Sequence, residues 1–214
     1  FGGGLESSGL SGGLTVTSES GDISSYPSAI QVKSGDLTMT ADTGSIGAGG
    51  YIDIDDGGVA LSAGQGIYLG SLTLESYGTE GAITVTAMGG DVTSSYGSIR
   101  NYGSGGIAMT SAAGITIDSG EIRANQGAAT LSAVGDIDVD AELTAAVDLS
   151  LDSITGSIET GGDIVAGGAG SFTAAGDVTL SGNIATGASG TFGSCLLYTS
   201  PSPRDATLSR MPSS

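Results

Sequence analysis

The chain has 214 residues, of which 40 are glycine, and its 23 acids against five bases give a formal net charge of −18. Glycine at this level without a Gly-X-Y triplet excludes collagen, and a 38% hydrophobic content argues against a Gly/Ser linker. A surface this negative repels nucleic acid and anionic membranes, so neither is expected as a partner.

The chain has no histidine and a single cysteine, Cys195. Disulfides, the usual zinc sites and histidine-based triads are thereby excluded. No apolar run reaches the ~18 residues of a membrane helix. The chain opens on Phe1-Gly2-Gly3-Gly4, without an initiator Met or a signal peptide, as expected of a fragment of a longer product.

From the first unit onward, one pattern recurs. An apolar-polar-apolar triplet is followed by a glycine step into a second apolar segment. Leu14-Thr15-Val16-Thr17 leads to Gly21-Asp22-Ile23, and Leu37-Thr38-Met39-Thr40 leads to Gly44-Ser45-Ile46. Val59-Ala60-Leu61 leads to Gly66-Ile67, Ile83-Thr84-Val85 to Gly90-Asp91-Val92, and Ile107-Ala108-Met109 to Gly114-Ile115. Ala129-Thr130-Leu131 leads to Gly135-Asp136-Ile137, Leu149-Ser150-Leu151 to Gly156-Ser157-Ile158, and Phe172-Thr173-Ala174 to Gly176-Asp177-Val178. Phe192 opens a ninth unit. Most units add a third apolar segment, such as Ile30-Gln31-Val32, Leu72-Thr73-Leu74, Ile99, Ile122, Leu143, Ile164-Val165 and Ile184.

The mean step is about 22 residues, a solenoid period. Three short strands per period, with one residue pointing in and the next out, make one coil of a β-helix. The predicted fold is all-β: a right-handed parallel β-helix of about nine coils over residues 1–194. Coils stacked ~4.8 Å apart would place like on like, Ile83 near Ile107 and Ile99 near Ile122, in a rod of roughly 40 Å. Glycine is expected at corners that need a positive φ. Pro27 is the only proline before Pro201, as expected where internal strands need their N–H groups.

Residues 195–214, CLLYTSPSPRDATLSRMPSS, follow neither the period nor the composition. Back-translated, Cys-Leu-Leu-Tyr-Thr-Ser and Pro-Ser-Pro-Arg-Asp resemble the transposase end and adapter of a fragment-sequencing library. Ser209 to Ser214 resemble the flow-cell end of the same adapter, after an index read as Ala206-Thr207-Leu208. The tail is therefore expected to be an artefact without a domain, adding no coil. Without it, 22 acids and three bases (Lys33, Arg100, Arg123) remain, a net of −19.

Units such as GAITVTAMGGDVTSSYGSI and GDIDVDAELTAAVDLSLDSITGSIETGGDIVAGG resemble the haemagglutinin-type repeats of filamentous haemagglutinin-like large exoproteins, the secreted bacterial adhesins of the two-partner and autotransporter type. The resemblance covers about residues 14–193. It implies a passive stalk at a bacterial cell surface, exported through an outer-membrane transporter, with a glycan or protein receptor on another cell. It implies no enzyme activity, catalytic residue or cofactor.

Two alternatives follow from the fold. A polysaccharide lyase or hydrolase would need paired carboxylates in a cleft. Asp53, Asp55 and Asp56 cluster, as do Asp136, Asp138, Asp140 and Glu142, but these acids read as a solvated face. An ice-binding solenoid would use outward Thr pairs, Thr15/Thr17, Thr38/Thr40 and Thr84/Thr86, although Ala60/Ser62 and Ser150/Asp152 interrupt them.

The weak metal candidates are Glu121, Glu142 and Asp163, one coil apart. Stacked like charges repel, and solvent screening is the expected relief. Arg100 and Arg123 occupy matching places in adjacent units and are expected to pair with acids such as Glu121 rather than to grip an anion.

Overall fold

A computed structural model describes residues 5–7, 12–25, 29–187, 190–193 and 196–198. Among these residues every element is a strand and every pairing is parallel; none is a helix, so no membrane-crossing helix is present. The chain winds as a parallel β-solenoid with three faces. The described residues comprise eight coils from Leu14 onward, part of a ninth, and the Leu5–Ser7 strand of a coil before the first.

The first face is a nine-stranded sheet running from Leu14–Ser18 through Leu37–Ala41, Val59–Ala63, Ile83–Ala87, Ile107–Ser111, Ala129–Ala133, Leu149–Ser153 and Gly170–Ala174 to Gly190–Gly193. The second and third faces belong to one sixteen-stranded sheet, because Ile46–Ile54 and Ile67–Ser76 run across the corner between them. Later coils break there. Val92–Ser95 and Gly97–Asn101 are separate strands, as are Ile137–Val139 and Glu142–Ala145.

The expected alternation is present. Ile83, Val85, Ile107, Met109, Leu131 and Leu151 are buried, while Thr84 and Thr130 are exposed and Ala108 and Ser150 half-buried. Ile107 lies opposite Ile83 and Ala129, and Ile99 opposite Leu74 and Ile122. The inward side chains form one continuous aliphatic core. Burial of each large member contributes ~1.5–3 kcal/mol. No coil could enclose this core alone, so each depends on its neighbours.

Three features differ from the sequence reading. The eighth coil begins at Gly170, which pairs with Leu149, so Phe172 stacks on Leu151 instead. A Cβ at Gly170 would contact the Phe172 ring: one large side chain fills the space of two smaller ones. The corner glycines also serve mainly a different purpose. Gly120 has φ +110° and needs glycine for its backbone. Many others, such as Gly44 and Gly162, lie outside the left-handed region, and an added Cβ would instead overlap a carbonyl of the preceding coil. Close stacking of coils, more than corner geometry, sets the glycine content.

Finally, Leu196–Tyr198 forms a strand on the second face, in register with Val178–Leu180. The segment expected to add no coil and to extend irregularly thus supplies one short strand, which continues the ninth coil. The open edge of Val178–Leu180 offers unpaired backbone groups, and any extended segment reaching it can satisfy them. Residues 199–214 lie outside the described residues, as does Pro27.

Many acids have a structural task at the corners. Asp22 accepts the backbone N–H of Ser45 at 2.7 Å, Asp91 that of Gly114 at 2.7 Å, and Asp136 that of Ser157 at 2.7 Å. Asp36 and Asp148 do the same for Gly58 and Ala169 at the corner before the first face. Each carboxylate thus ties its coil to the next through a charge-assisted bond. The Asp of the recurring Gly-Asp-Ile step is an inter-coil clip.

Two substitutions at adjacent positions test the inward and outward assignment. Ile107→Asp puts an unpaired charge in the core and is expected to lower unfolding free energy by about 4 kcal/mol or more. Ala108→Ser, one residue along and outward, is expected to stay within ~0.5 kcal/mol. Urea denaturation of both variants measures the difference.

Candidate functional site

Coil stacking aligns the outward side chains of the third face into axial columns. One column runs Asp53, Glu75, Arg100, Arg123, Thr144. The column beside it runs Tyr51, Thr73, Ser98, Glu121, Glu142. At the following corner Asp55, Tyr77 and Tyr102 lie on successive coils, as their backbone hydrogen bonds to Val32, Ile54 and Ser76 place them. The most organised polar group of the described residues stands here.

Glu75 is its centre, with only 8% of its surface exposed. Its Oε2 accepts from the Tyr51 hydroxyl at 2.9 Å and the Tyr77 hydroxyl at 3.1 Å, and its Oε1 from Arg100 Nη1 at 3.1 Å. Arg100 also donates through Nε and Nη2 to Glu121 Oε2, at 3.2 and 3.0 Å. Arg123 pairs with the other oxygen of Glu121 and reaches Glu142 Oε1 at 3.2 Å. Thr144 donates to the same Glu142 oxygen at 3.1 Å. The result is an alternating ladder, Glu75–Arg100–Glu121–Arg123–Glu142, over four coils. The Tyr77 and Tyr102 rings stack with centroids 4.5 Å apart and planes within 5°.

The electrostatics follow from these contacts. Burial alone pushes the Glu75 carboxyl up, but the hydrogen bonds from Tyr51, Arg100 and Tyr77, with the charge of Arg100, outweigh it and leave it below the ordinary value. Burial and the Glu75 bond push the Tyr51 hydroxyl up to about 12, and the Tyr77 hydroxyl up as well. The hydrogen bonds to Glu121 and Glu75 hold Arg100 firmly protonated. Asp53 differs: burial, then the charges of Asp55 and Glu75, raise its carboxyl, and its Oδ1 is shielded without a hydrogen-bond partner.

The three metal candidates lie in one axial column, as the period implies. Their oxygens are engaged separately. Glu121 and Glu142 hold the arginines, and Asp163 Oδ1 accepts from the backbone and side-chain nitrogens of Asn183 at 2.9 and 3.0 Å. Among the described residues no three acids converge as a cation cage. The expected relief by solvent is therefore replaced, for Glu121 and Glu142, by two arginines. Arg100 and Arg123 lie in register and pair with Glu121, as their spacing implied.

On the second face Asp138 and Glu159 stack opposite one another, with Asp136 and Asp140 beside them. They border a shallow depression of about 250 Å³ lined by Asp136, Ile137, Asp138, Ser157 and Glu159. Burial, then the charges of Asp140, Glu159, Asp118 and Asp136, raise the Asp138 carboxyl. Asp53 and Asp55 lie on another face, so the two acidic groups of the sequence form no common cleft; Asp56 is exposed. On the first face the outward column reads Thr15, Thr38, Ala60, Thr84, Ala108, Thr130, Ser150, Ser171, with alanine breaking the threonine file twice.

Sequence reasoning passed over Glu75, Tyr51, Tyr77 and Tyr102. A repeat alignment holds the missing signal: Leu74-Glu75, Ile99-Arg100 and Ile122-Arg123 occupy equivalent positions. Comparisons with family models, with curated proteins and with solved structures return no match.

Two expected outcomes test the electrostatics. Asp138 has a raised folded-state value, so its contribution is fully present below its unfolded pKa of about 4 and is lost as pH rises through the folded value. Asp138→Asn is accordingly expected to raise the melting temperature at pH 7, with the gain vanishing towards pH 3 to 4. Glu75 has a lowered value, so it stabilises above its unfolded pKa of about 4.3 and ceases to as pH falls through the folded value. Glu75→Gln should lower stability at pH 7 and converge with the parent in acid. Melting curves against pH read both effects.

Calcium provides a further check. A bound ion would raise stability by RT ln(1 + [L]/Kd). With Glu121 and Glu142 engaged by arginine, millimolar calcium should shift the melting temperature by less than about two degrees. A larger shift abolished by Glu142→Gln would establish a cation site.

Proposed function

We propose that this chain is a stalk segment of a large secreted bacterial surface protein, an adhesin of the haemagglutinin-repeat type. The observation that carries this reading is the unbroken register of the first face, paired coil to coil from Leu14–Ser18 to Gly190–Gly193. A solenoid of this kind transmits length: every coil repeats the same contacts, and adding coils extends the rod without a new core. Its outward side chains engage mainly each other and the backbone of adjacent coils, which suits a passive spacer at a cell surface. The acidic exterior suits exposure to solvent without adhesion to nucleic acid or anionic lipid. Export through an outer-membrane transporter and a receptor on another cell complete the proposal. No residue is assigned a catalytic role and no cofactor is required. The adapter resemblance of residues 195–214 forms part of the same reading.

Resequencing the source locus tests all of this. The expected frame continues past the Ser194 codon with more coils of ~22 residues and, upstream of Phe1, reaches a secretion signal. Finding the Cys195–Ser214 codons in genomic DNA would refute the adapter reading. A lyase- or hydrolase-type cleft domain in place of further repeats would replace the stalk with an enzyme.

A further inference from the structure

The residue that follows each first-face strand stands in an axial column of its own. Its N–H bonds to the end of the matching strand in the preceding coil: Met88 to Ala63, Ala112 to Ala87, Val134 to Ser111, Ile154 to Ala133 and Ala175 to Ser153. In the first three coils this position holds Glu19, Asp42 and Gly64. From the fourth coil to the eighth it is apolar without a break: Met88, Ala112, Val134, Ile154, Ala175. All five are exposed, Met88 at 61%, Ile154 at 58% and Val134 at 39%. The core does not require them, since they point away from it. Single exposed apolar side chains are ordinary, but a contiguous file of them marks an interaction surface.

The charges around this ridge are of one sign. Asp91, Asp136 and Asp177 are exposed at the same corner, and Asp138 and Glu159 stand outward on the second face. Asp152 is half-buried on the first-face side, two residues before Ile154. Among the described residues neither adjoining face carries a base. Lys33 follows a third-face strand, and Arg100 and Arg123 lie in the glutamate ladder of that face. A second copy of the chain would bring the same acids to the contact and be repelled, as would an anionic lipid surface. A partner with basic residues beside an apolar stripe would be attracted at the rim and buried at the centre.

The axial spacing selects the form of that partner. The ridge is straight, with one side chain per coil at about 4.8 Å, and its four steps span roughly 19 Å. A β-strand presents same-face side chains about 6.6 Å apart and falls out of step within two coils. An α-helix presents one turn every 5.4 Å, about 0.6 Å from the coil spacing, and about 13 residues cover the ridge. We propose that the ridge Met88–Ala112–Val134–Ile154–Ala175 docks a basic amphipathic helix. The apolar stripe of the helix lies along the ridge, and its lysines or arginines face the flanking aspartates. This goes beyond the stalk reading and does not depend on it.

The probe for the test is a helical peptide of about 15 leucines and lysines, with leucine at i, i+3, i+4 and i+7. It is titrated into the full chain carrying ¹³C-methyl methionine, with the Met88 signal assigned by Met88→Leu. The Met88 methyl is expected to shift with a Kd of about 10–100 μM. Met39 and Met109, each 1% exposed, should not move. A scrambled peptide of the same composition should bind at least about tenfold more weakly. Ile154→Glu separates docking from general attraction: it adds an acid but removes an anchor, and should weaken binding at least about fivefold. Ile154→Ser, which leaves the charge unchanged, should do the same, and both variants should keep the parent melting temperature because residue 154 is exposed. Absence of a Met88 shift overturns the proposal and leaves the stalk reading intact. Equal binding of the scrambled peptide, or tighter binding to Ile154→Glu, overturns it equally and reduces the contact to charge alone. A Met88 shift with neutral phosphatidylcholine vesicles and none with the peptide would replace the helix with a lipid surface.

Discussion

Paired strand residues of this solenoid sit one coil spacing from their counterparts in the adjacent coils. That spacing is set by the backbone ladder and cannot relax, since parallel strands pair at about 4.8 Å whatever their side chains. The molecule is therefore a set of axial columns, and each column must be chemically tolerable at that distance. Inward, the rule is easily met. Leucine, isoleucine and valine stack on one another, and the core runs without interruption along the rod. Where Phe172 enters, Gly170 makes room within the same coil.

The same spacing constrains the outside more severely, because most of the charged residues are acids. Three arrangements relieve the repulsion. At the corners, aspartates turn to the next coil and accept a backbone N–H, as Asp22, Asp91 and Asp136 do. On the third face two arginines are interleaved with three glutamates, and both pair with Glu121. On the second face Asp138 and Glu159 simply face each other, and Asp138 carries the cost as a raised carboxyl value. The protein's stability against acid and alkali is thus unevenly distributed along its length.

Function follows from which columns depart from this economy. A stalk needs only tolerable stacking, and much of the exterior offers no more than that: threonine, serine and alanine alternate on the first face, and glycine closes the corners. The tyrosines of coils two to four exceed this need. Tyr51 and Tyr77 both bond the buried Glu75 carboxylate, and Tyr102 stacks on Tyr77.

The all-β architecture, the three-strand coil and the in–out alternation were legible in the sequence, because they are local. A period of two within a strand and of about 22 between strands can be read from the order of residues alone. The pairing of Arg100 and Arg123 with Glu121 was legible for the same reason, as all three fall at repeat-equivalent or adjacent positions. What only the tertiary structure decided concerns the lengths of the corners. These set which residue of one coil meets which residue of the next. They placed Gly170, not Phe172, on Leu149, and brought Glu75 under Arg100 between Tyr51 and Tyr77. They also gave corner glycines such as Gly44 and Gly162 a steric reason unrelated to φ, and joined Leu196–Tyr198 to an open edge. Alternation is a property of each strand, whereas register is a property of the stack, and only the stack brings side chains from different coils into contact.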